Sequence, residues 1–191
     1  MSTQTLLPFG VEGKELPRLI ESLAEAARRR TLDEKIFVAP SLAVGHEIVE
    51  RLARSGVAWI NLRVESPRSL AHGVVGRALV EEGRTLLSRV QSLALIEQAC
   101  AQALTERSYF GALRERPGLH RAIQSTFDEL REAGITAETL PADAFADPEK
   151  VADVRSVLRI YEKSLAEGKF VDRSDVIRRA IEELRRGPSA S

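Results

Sequence analysis

The sequence predicts an α/β protein in which a short parallel sheet near the N-terminus is followed by a long run of helices. Short apolar segments of strand character alternate with helical patterns only as far as Val64. Beyond that residue, apolar side chains recur at intervals of three and four, which is the period of one helical face. Hydrophobic residues make up 43% of the 191 residues and charged residues 29%, as in an ordinary globular protein.

Three segments have the character of strands, and the second along the chain is the clearest. Residues 35–39 are apolar, partly β-branched and followed by Pro40. Residues 5–9 contain Pro8, which cannot donate to a strand ladder and favours an edge or a strand end. Residues 57–64 alternate in polarity toward their end, so we expect one face of this strand to be wetter.

Helical patterns fill the gaps between these strands. The first ends in three arginines at 28–30, where basic side chains suit the negative end of the helix dipole. In the second, Ser41 is the predicted N-cap and Gly56 lies just past the end. The apolar stripes consist of Leu16, Leu19, Ile20, Leu23 and Ala27 in the first helix, and of Val44, Ile48 and Leu52 in the second. Alternating strands and helices at this spacing predict parallel pairing through right-handed crossovers.

The chain after residue 64 is predicted to be helical. A helix is expected to begin at Ser66-Pro67, since proline suits the first helical position. Four more apolar stripes lie within residues 86–104, 119–130, 151–165 and 176–184. Three strands make an incomplete doubly wound sheet, so the missing strands are expected in a longer parent chain. We predict a partial α/β domain over residues 1–80, a helical subdomain over residues 81–186 and a disordered tail over residues 187–191.

The cysteine content and the hydropathy pattern indicate the cellular compartment in which the protein is expected. The single cysteine, Cys100, excludes an intramolecular disulfide and suits a reducing compartment such as the bacterial cytoplasm. The N-terminal residues lack the basic and apolar segments of a signal peptide, and no apolar run approaches the roughly 20 residues of a membrane span. We therefore expect a cytoplasmic bacterial protein with no membrane partner. The net charge is zero, so a nucleic-acid contact would need a local basic patch.

A glycine-containing loop between the first strand and the first helix is a candidate nucleotide site. A strand, a glycine loop and a helix N-terminus can together hold a phosphate, and Gly13 and Lys14 match the end of the P-loop pattern. However, Glu15 replaces the hydroxyl residue that would bind magnesium, and Glu12 adds negative charge near the phosphate position. We therefore expect a degenerate P-loop that acts as an ordinary turn, with neither ATP nor Mg²⁺ as a cofactor.

Other reactive side chains do not form a recognisable catalytic or metal-binding motif. The three histidines, His46, His72 and His120, are far apart in sequence and lack the spacing of zinc ligands. His46 is expected on the exposed side of its helix and Cys100 in the core. Asp172 and Asp175 lie three residues apart, before and at a predicted helix start, and capping and the helix dipole explain Asp175. No catalytic residue and no metal ligand is therefore predicted.

Hydroxyl and basic residues follow the second and third predicted strands. Ser41 comes after the second strand, and Ser66 and Arg68 come after the third. Ligands of open parallel sheets bind outside the carboxyl ends of the strands, and these side chains could contact a phosphate backbone. The competing interpretation is that both serines simply cap helices.

The order of these segments resembles the N-terminal region of the B subunit of AddAB-type helicase–nucleases and of related proteins with a C-terminal PD-(D/E)XK nuclease domain. Residues 36–41 (Ile-Phe-Val-Ala-Pro-Ser) are similar to a strand of that family ending in Val-Pro-Ser. Residues 64–71 (Val-Glu-Ser-Pro-Arg-Ser-Leu-Ala) are similar to its Val-x-Ser-Phe-x-Arg-Leu-Ala, with Pro67 in place of the aromatic. The helical part matches the family pattern at residues 127–135, 158–165 and 172–175.

The resemblance implies a partial P-loop-like (RecA-like) domain of superfamily 1 helicase type, interrupted by a helical insertion. It implies a parent that processes double-strand DNA ends for recombinational repair, with exonuclease activity located beyond residue 191 and a motor subunit as partner. The degenerate loop favours a DNA-positioning or partner-positioning module that is inert alone. Two alternatives stay open, namely an α/β enzyme that binds a nucleotide or phosphometabolite through residues 10–14, and a structural protein-interaction domain.

Overall fold

The computed structural model describes residues 15–186 and shows a mostly helical protein with two small parallel sheets. Helices in order are α1 (Glu15–Arg29), α2 (Leu42–Arg54), α3 (Pro67–Glu81), α4 (Arg89–Ala103), α5 (Pro117–Glu132), α6 (Pro148–Glu167) and α7 (Arg173–Arg186). The strands are β1 (Lys35–Val38), β2 (Leu62–Glu65), β3 (Thr85–Leu86) and β4 (Phe170–Val171). A short 3₁₀ helix, Gly111–Leu113, lies between α4 and α5.

The first sheet pairs β1 with β2 in parallel, with Lys35 opposite Leu62 and Val38 opposite Glu65. The predicted three-stranded sheet is therefore reduced to two strands among residues 15–186. The first predicted strand, residues 5–9, lies outside the described residues, as does the predicted tail at 187–191. The third predicted strand is shorter than expected, because Asn61 has a φ of 55° and the ladder begins only after it.

The second sheet corrects the prediction that strands end at Val64. β3 and β4 pair in parallel, with Thr85 opposite Phe170 and Leu86 opposite Val171. Each strand has only two residues, which is too short for a period-two pattern to stand out in the sequence. Residue 86, predicted to lie in a helix, is in β3, and α4 begins at Arg89 behind a Ser88 cap.

The chain divides into two compact units between Leu70 and Ala71, within α3. In the first unit, α1 and α2 pack on one face of the β1–β2 sheet. Phe37 and Ala39 point into that core, whereas Ile36 and Val38 on the other face are 46% and 44% exposed. Helix α2 comes close to the sheet at Gly45, which is buried against Val64.

The second unit has its core between α4, α5 and α6. Sixteen buried residues form this cluster, and Cys100 is fully buried among them, as predicted. A smaller cluster joins the C-terminal part of α3 to β4 and α7 through Val75, Val171 and Val176. No helix among residues 15–186 is long and apolar enough to cross a membrane.

Candidate functional site

Two helix N-termini meet the same edge of the β1–β2 sheet. Both strands end at this carboxyl edge, where the N–H of Ala39 donates to the Glu65 carbonyl over 2.8 Å. Helix α2 begins at Leu42 and helix α3 at Pro67, so each starts within a few residues of its strand. The unpaired N–H groups and the positive ends of two helix dipoles therefore lie beside each other. This arrangement is suited to an anionic ligand.

Ser41 lies at this edge as the N-cap of α2, as predicted. Its Oγ accepts a hydrogen bond from the Val44 N–H at 3.3 Å, and its carbonyl accepts from the Gly45 N–H at 3.0 Å. The side chain is exposed, and its hydroxyl hydrogen has no acceptor among the residues that the structure describes. Ser41 can therefore cap the helix and donate to a ligand oxygen at the same time.

Ser66 lies at the equivalent position before α3, but its hydroxyl is already hydrogen-bonded to Ser69. Its Oγ accepts from the Ser69 N–H at 3.0 Å and lies 3.0 Å from the Ser69 Oγ. In return, the Ser66 N–H donates to the Ser69 Oγ at 2.8 Å. This reciprocal pair resembles a capping box built from two serines. Of the two serines predicted to contact phosphate, Ser41 is therefore the better placed.

Arg68 is exposed on the first turn of α3 and forms no ion pair with another residue in the described part of the chain. Arg63, by contrast, contacts Glu34 at 2.8 Å and Glu65 at 2.6 Å. Hydrogen bonds from Ser69 and then from Arg63 lower the pKa of Glu65, so this carboxylate keeps its negative charge. Arg68 is thus a cation near the edge whose charge is not already neutralised.

The other predicted binding residues cannot be placed. Gly13 and Lys14 lie outside the described residues, so the degenerate P-loop stays a prediction. His46 is exposed on α2, as expected from its position on the helix. Within residues 15–186 the structure shows no group of three or more side chains of the metal-binding types.

A buried polar cluster in the second unit was not foreseen from the sequence. The Arg131 guanidinium on α5 lies 2.9 Å from Asp172 Oδ2, 2.9 Å from Asp175 Oδ2 and 3.3 Å from Glu162 Oε1. The Tyr161 hydroxyl lies 3.1 Å from Asp172 Oδ2 and 2.8 Å from the Ser92 hydroxyl. Burial, followed by the charge of Asp172, raises the pKa of Tyr161.

The same cluster contains Asp172, just before α7, and Asp175, in the first turn of that helix. Asp172 Oδ1 accepts from the Asp175 N–H at 2.9 Å, so Asp172 caps the helix, while Asp175 lies in its first turn. The sequence predicts capping by Asp175, whereas in the structure Asp172 is the residue that caps α7. The cluster is largely buried and links α4, α5, α6 and α7, which favours a structural role.

The chain has been compared with known proteins in two ways. No family model matches it, and no curated protein matches it in sequence. A functional conclusion therefore depends on the residues described above.

Proposed function

We propose that the chain is a DNA-positioning module of an AddB-type helicase–nuclease subunit that acts on double-strand DNA ends in recombinational repair, and that it is inert alone. The observation that carries the proposal is the carboxyl edge of the β1–β2 sheet. There, two helix N-termini, the free Ser41 hydroxyl and the unpaired Arg68 are all available to a phosphate. A DNA backbone presents such phosphates at regular intervals, and contacts of this type position a protein without reading sequence.

The uncovered face of the same sheet supports a role within a larger assembly. A two-stranded sheet is marginal on its own, and Ile36 and Val38 leave an apolar surface on the side opposite α1 and α2. Exposed apolar patches commonly mark sites of protein interaction. This favours a partner such as the motor subunit, and it also keeps the structural interaction domain as the second candidate function.

Fluorescence anisotropy with a labelled oligonucleotide tests the DNA contact. Ser41→Asp keeps a good N-cap but places a carboxylate where the phosphate would lie, and Arg68→Gln removes the cation. We expect Arg68→Gln to weaken DNA binding by about three- to fivefold. The slope of log affinity against log salt concentration should fall in magnitude by about one, because one phosphate contact is lost. Ser41→Asp should weaken binding further, because it adds charge repulsion.

Arg28→Gln is the matched control. Arg28 is an exposed arginine of the same unit near the C-terminus of α1, which leads to the amino end of β1. Its loss removes the same charge from the opposite edge of the sheet and should leave the affinity unchanged. If the unaltered chain fails to bind DNA at low salt, the DNA role is wrong and the interaction domain becomes the better interpretation.

A further inference from the structure

The outer edge of β3 is an unpaired edge of a parallel sheet. The Thr85 N–H donates to the Lys169 carbonyl at 3.0 Å, and the Leu87 N–H donates to the Val171 carbonyl at 2.9 Å. Backbone groups of successive strand residues point to opposite sides, so the N–H and carbonyl of Leu86 face away from β4. In the part of the chain that the structure describes, the sheet has no third strand and Leu86 forms no hydrogen bond outside it. One backbone donor and one acceptor are therefore available at this edge.

This edge is open to solvent rather than covered by a neighbouring element. Thr85 and Leu86 are both exposed, whereas Phe170 is half-buried and Val171 is buried on the paired strand. Water can hydrogen-bond an exposed backbone group, so the edge is stable alone and accessible to another strand. An extended chain can therefore pair with β3 without first displacing a part of the described structure.

Apolar side chains flank β3 on both sides along the chain. Val80 in the last turn of α3 is 77% exposed, and Val90 in the first turn of α4 is 76% exposed. They are the most exposed large apolar residues of the second unit within residues 15–186, and Leu86 lies between them in sequence. When an extended peptide adds to a sheet edge, backbone hydrogen bonds give affinity and apolar contacts of alternate side chains give specificity. This segment offers both kinds of contact.

The charges at the two ends of β3 are positive. Arg89 begins α4 three residues after the strand, and the Lys169 backbone is hydrogen-bonded to the first residue of the strand. Both side chains are exposed, and neither forms an ion pair with another described residue. Lys169 also has a φ of 51°, a left-handed conformation that glycine adopts at lower cost. A cation is thus present at this edge despite an unfavourable backbone conformation, which is typical of functional positions.

The acidic residues that precede β3 at the end of α3 are already paired. Glu82 lies 2.8 Å from Arg84 and 2.9 Å from Arg179, and Glu81 lies 2.8 Å from Arg77. They are therefore not the partners of the two cations at the ends of the strand. The remaining charge around the edge is positive, which favours a partner segment that carries carboxylates.

We propose that the edge of β3 binds an extended, acidic peptide segment of a partner protein, which adds a third strand to the β3–β4 sheet. The backbone of this segment exchanges hydrogen bonds with Leu86, and its apolar side chains contact Val80 and Val90. Its carboxylates lie beside Arg89 and Lys169. The surface belongs to the second unit and does not depend on the proposed DNA contact.

A synthetic peptide tests the proposal. The probe is a fluorescein-labelled peptide with the sequence Asp-Val-Thr-Val-Thr-Val-Glu, and the control peptide has lysine in place of both acidic residues. By fluorescence anisotropy at low salt, we expect saturable binding of the acidic probe with a Kd below about 1 mM. The basic peptide should bind about tenfold more weakly, because like charges repel. In ¹⁵N–¹H spectra, the acidic probe should shift the amide signals of residues 84–90.

Leu86→Pro is the decisive variant. Proline removes the available N–H of this residue but none of the N–H groups that pair β3 with β4. We expect the affinity for the acidic probe to fall at least tenfold, whereas Leu86→Val keeps the N–H and should bind like the unaltered chain. Val90→Glu opposes the acidic probe by charge repulsion without a change in the backbone. Its matched control is Leu113→Glu, at an exposed apolar residue of the same unit in the short 3₁₀ helix.

Three results would overturn the proposal. The first is no saturable binding of the acidic probe up to about 1 mM. The second is equal affinity of the unaltered chain and Leu86→Pro, with circular dichroism showing that the variant is folded. The third is a set of shifted amide signals that excludes residues 84–90. If Leu86→Pro does not fold, Val90→Glu decides, since an unchanged affinity in that variant contradicts binding at this edge.

Discussion

Replacing Arg131 by methionine tests whether the buried cluster organises the helical unit. The substitution keeps much of the side-chain volume but leaves Asp172, Asp175 and Glu162 without their common cation. All three carboxylates lie within 3.3 Å of the guanidinium. Removing one partner of a buried ion pair costs about 3–5 kcal/mol, and partial water access at Asp175 and Glu162 favours the lower end. We therefore expect a loss of about 3 kcal/mol in the free energy of unfolding.

Urea denaturation followed by far-ultraviolet circular dichroism measures this loss. With a urea dependence of about 2 kcal/mol per molar, a loss of this size lowers the midpoint by about 1.5 M. The single tryptophan, Trp59, lies in the first unit, so its fluorescence reports separately on that part of the chain. Arg77→Met is the matched control, since Arg77 is exposed and, within residues 15–186, pairs with Glu81 alone, one turn away. It should cost less than about 0.5 kcal/mol.

The physical cause can be separated from a simple packing effect. If the cost of Arg131→Met comes from unpaired buried charge, adding Asp172→Asn and Asp175→Asn should recover at least half of it. Asparagine is also a good N-cap, so α7 keeps its capping residue. A loss below about 1 kcal/mol in the single variant, or no recovery in the triple variant, would refute the charge argument.

Two glycine substitutions and one labelling reaction test the packing. Gly45→Ala should destabilise the chain by about 1–3 kcal/mol, as followed by Trp59 fluorescence, because the new Cβ meets the Val64 side chain. At Gly73 the new Cβ would meet no atom within 4 Å beyond its chain neighbours and the backbone of its own helix, so Gly73→Ala should stabilise the chain by about 0.5–1 kcal/mol. Equal effects of the two substitutions would contradict the close approach of α2 to the sheet. Burial raises the pKa of Cys100 to about 11, so at pH 8 only about 0.1% is thiolate, and labelling should be at least 100-fold slower in the native chain than in urea. Rapid native labelling would contradict this burial.

Elements with a strong local signal were predictable from the sequence. The apolar segment at β1, the Ser41 cap and the Pro67 helix start depend on neighbouring residues, and the structure confirms all three. The strands β3 and β4 were missed because their pairing joins residues more than eighty positions apart and spans only two residues on each side. No local sequence pattern predicts such a contact.

The site residues show the same division between local and distant information. The two serines were predicted because helix capping depends on neighbouring residues. Only the structure shows that the Ser66 hydroxyl is hydrogen-bonded to Ser69. Likewise, the contact between Glu97 and His120 forms only through the packing of α4 against α5, so no local sequence pattern predicts it.

The Arg131 cluster also joins the three helical segments from which the resemblance was inferred in the sequence. Five of its members lie in those segments: Arg131 in residues 127–135, Tyr161 and Glu162 in residues 158–165, and Asp172 and Asp175 in residues 172–175. These segments are distant in sequence but form one buried network. Such a network stabilises the packing of helices, and a fold does not by itself imply an activity. The proposed DNA role therefore depends on the exposed edge at Ser41 and Arg68, where variants can test it without disturbing the helical core.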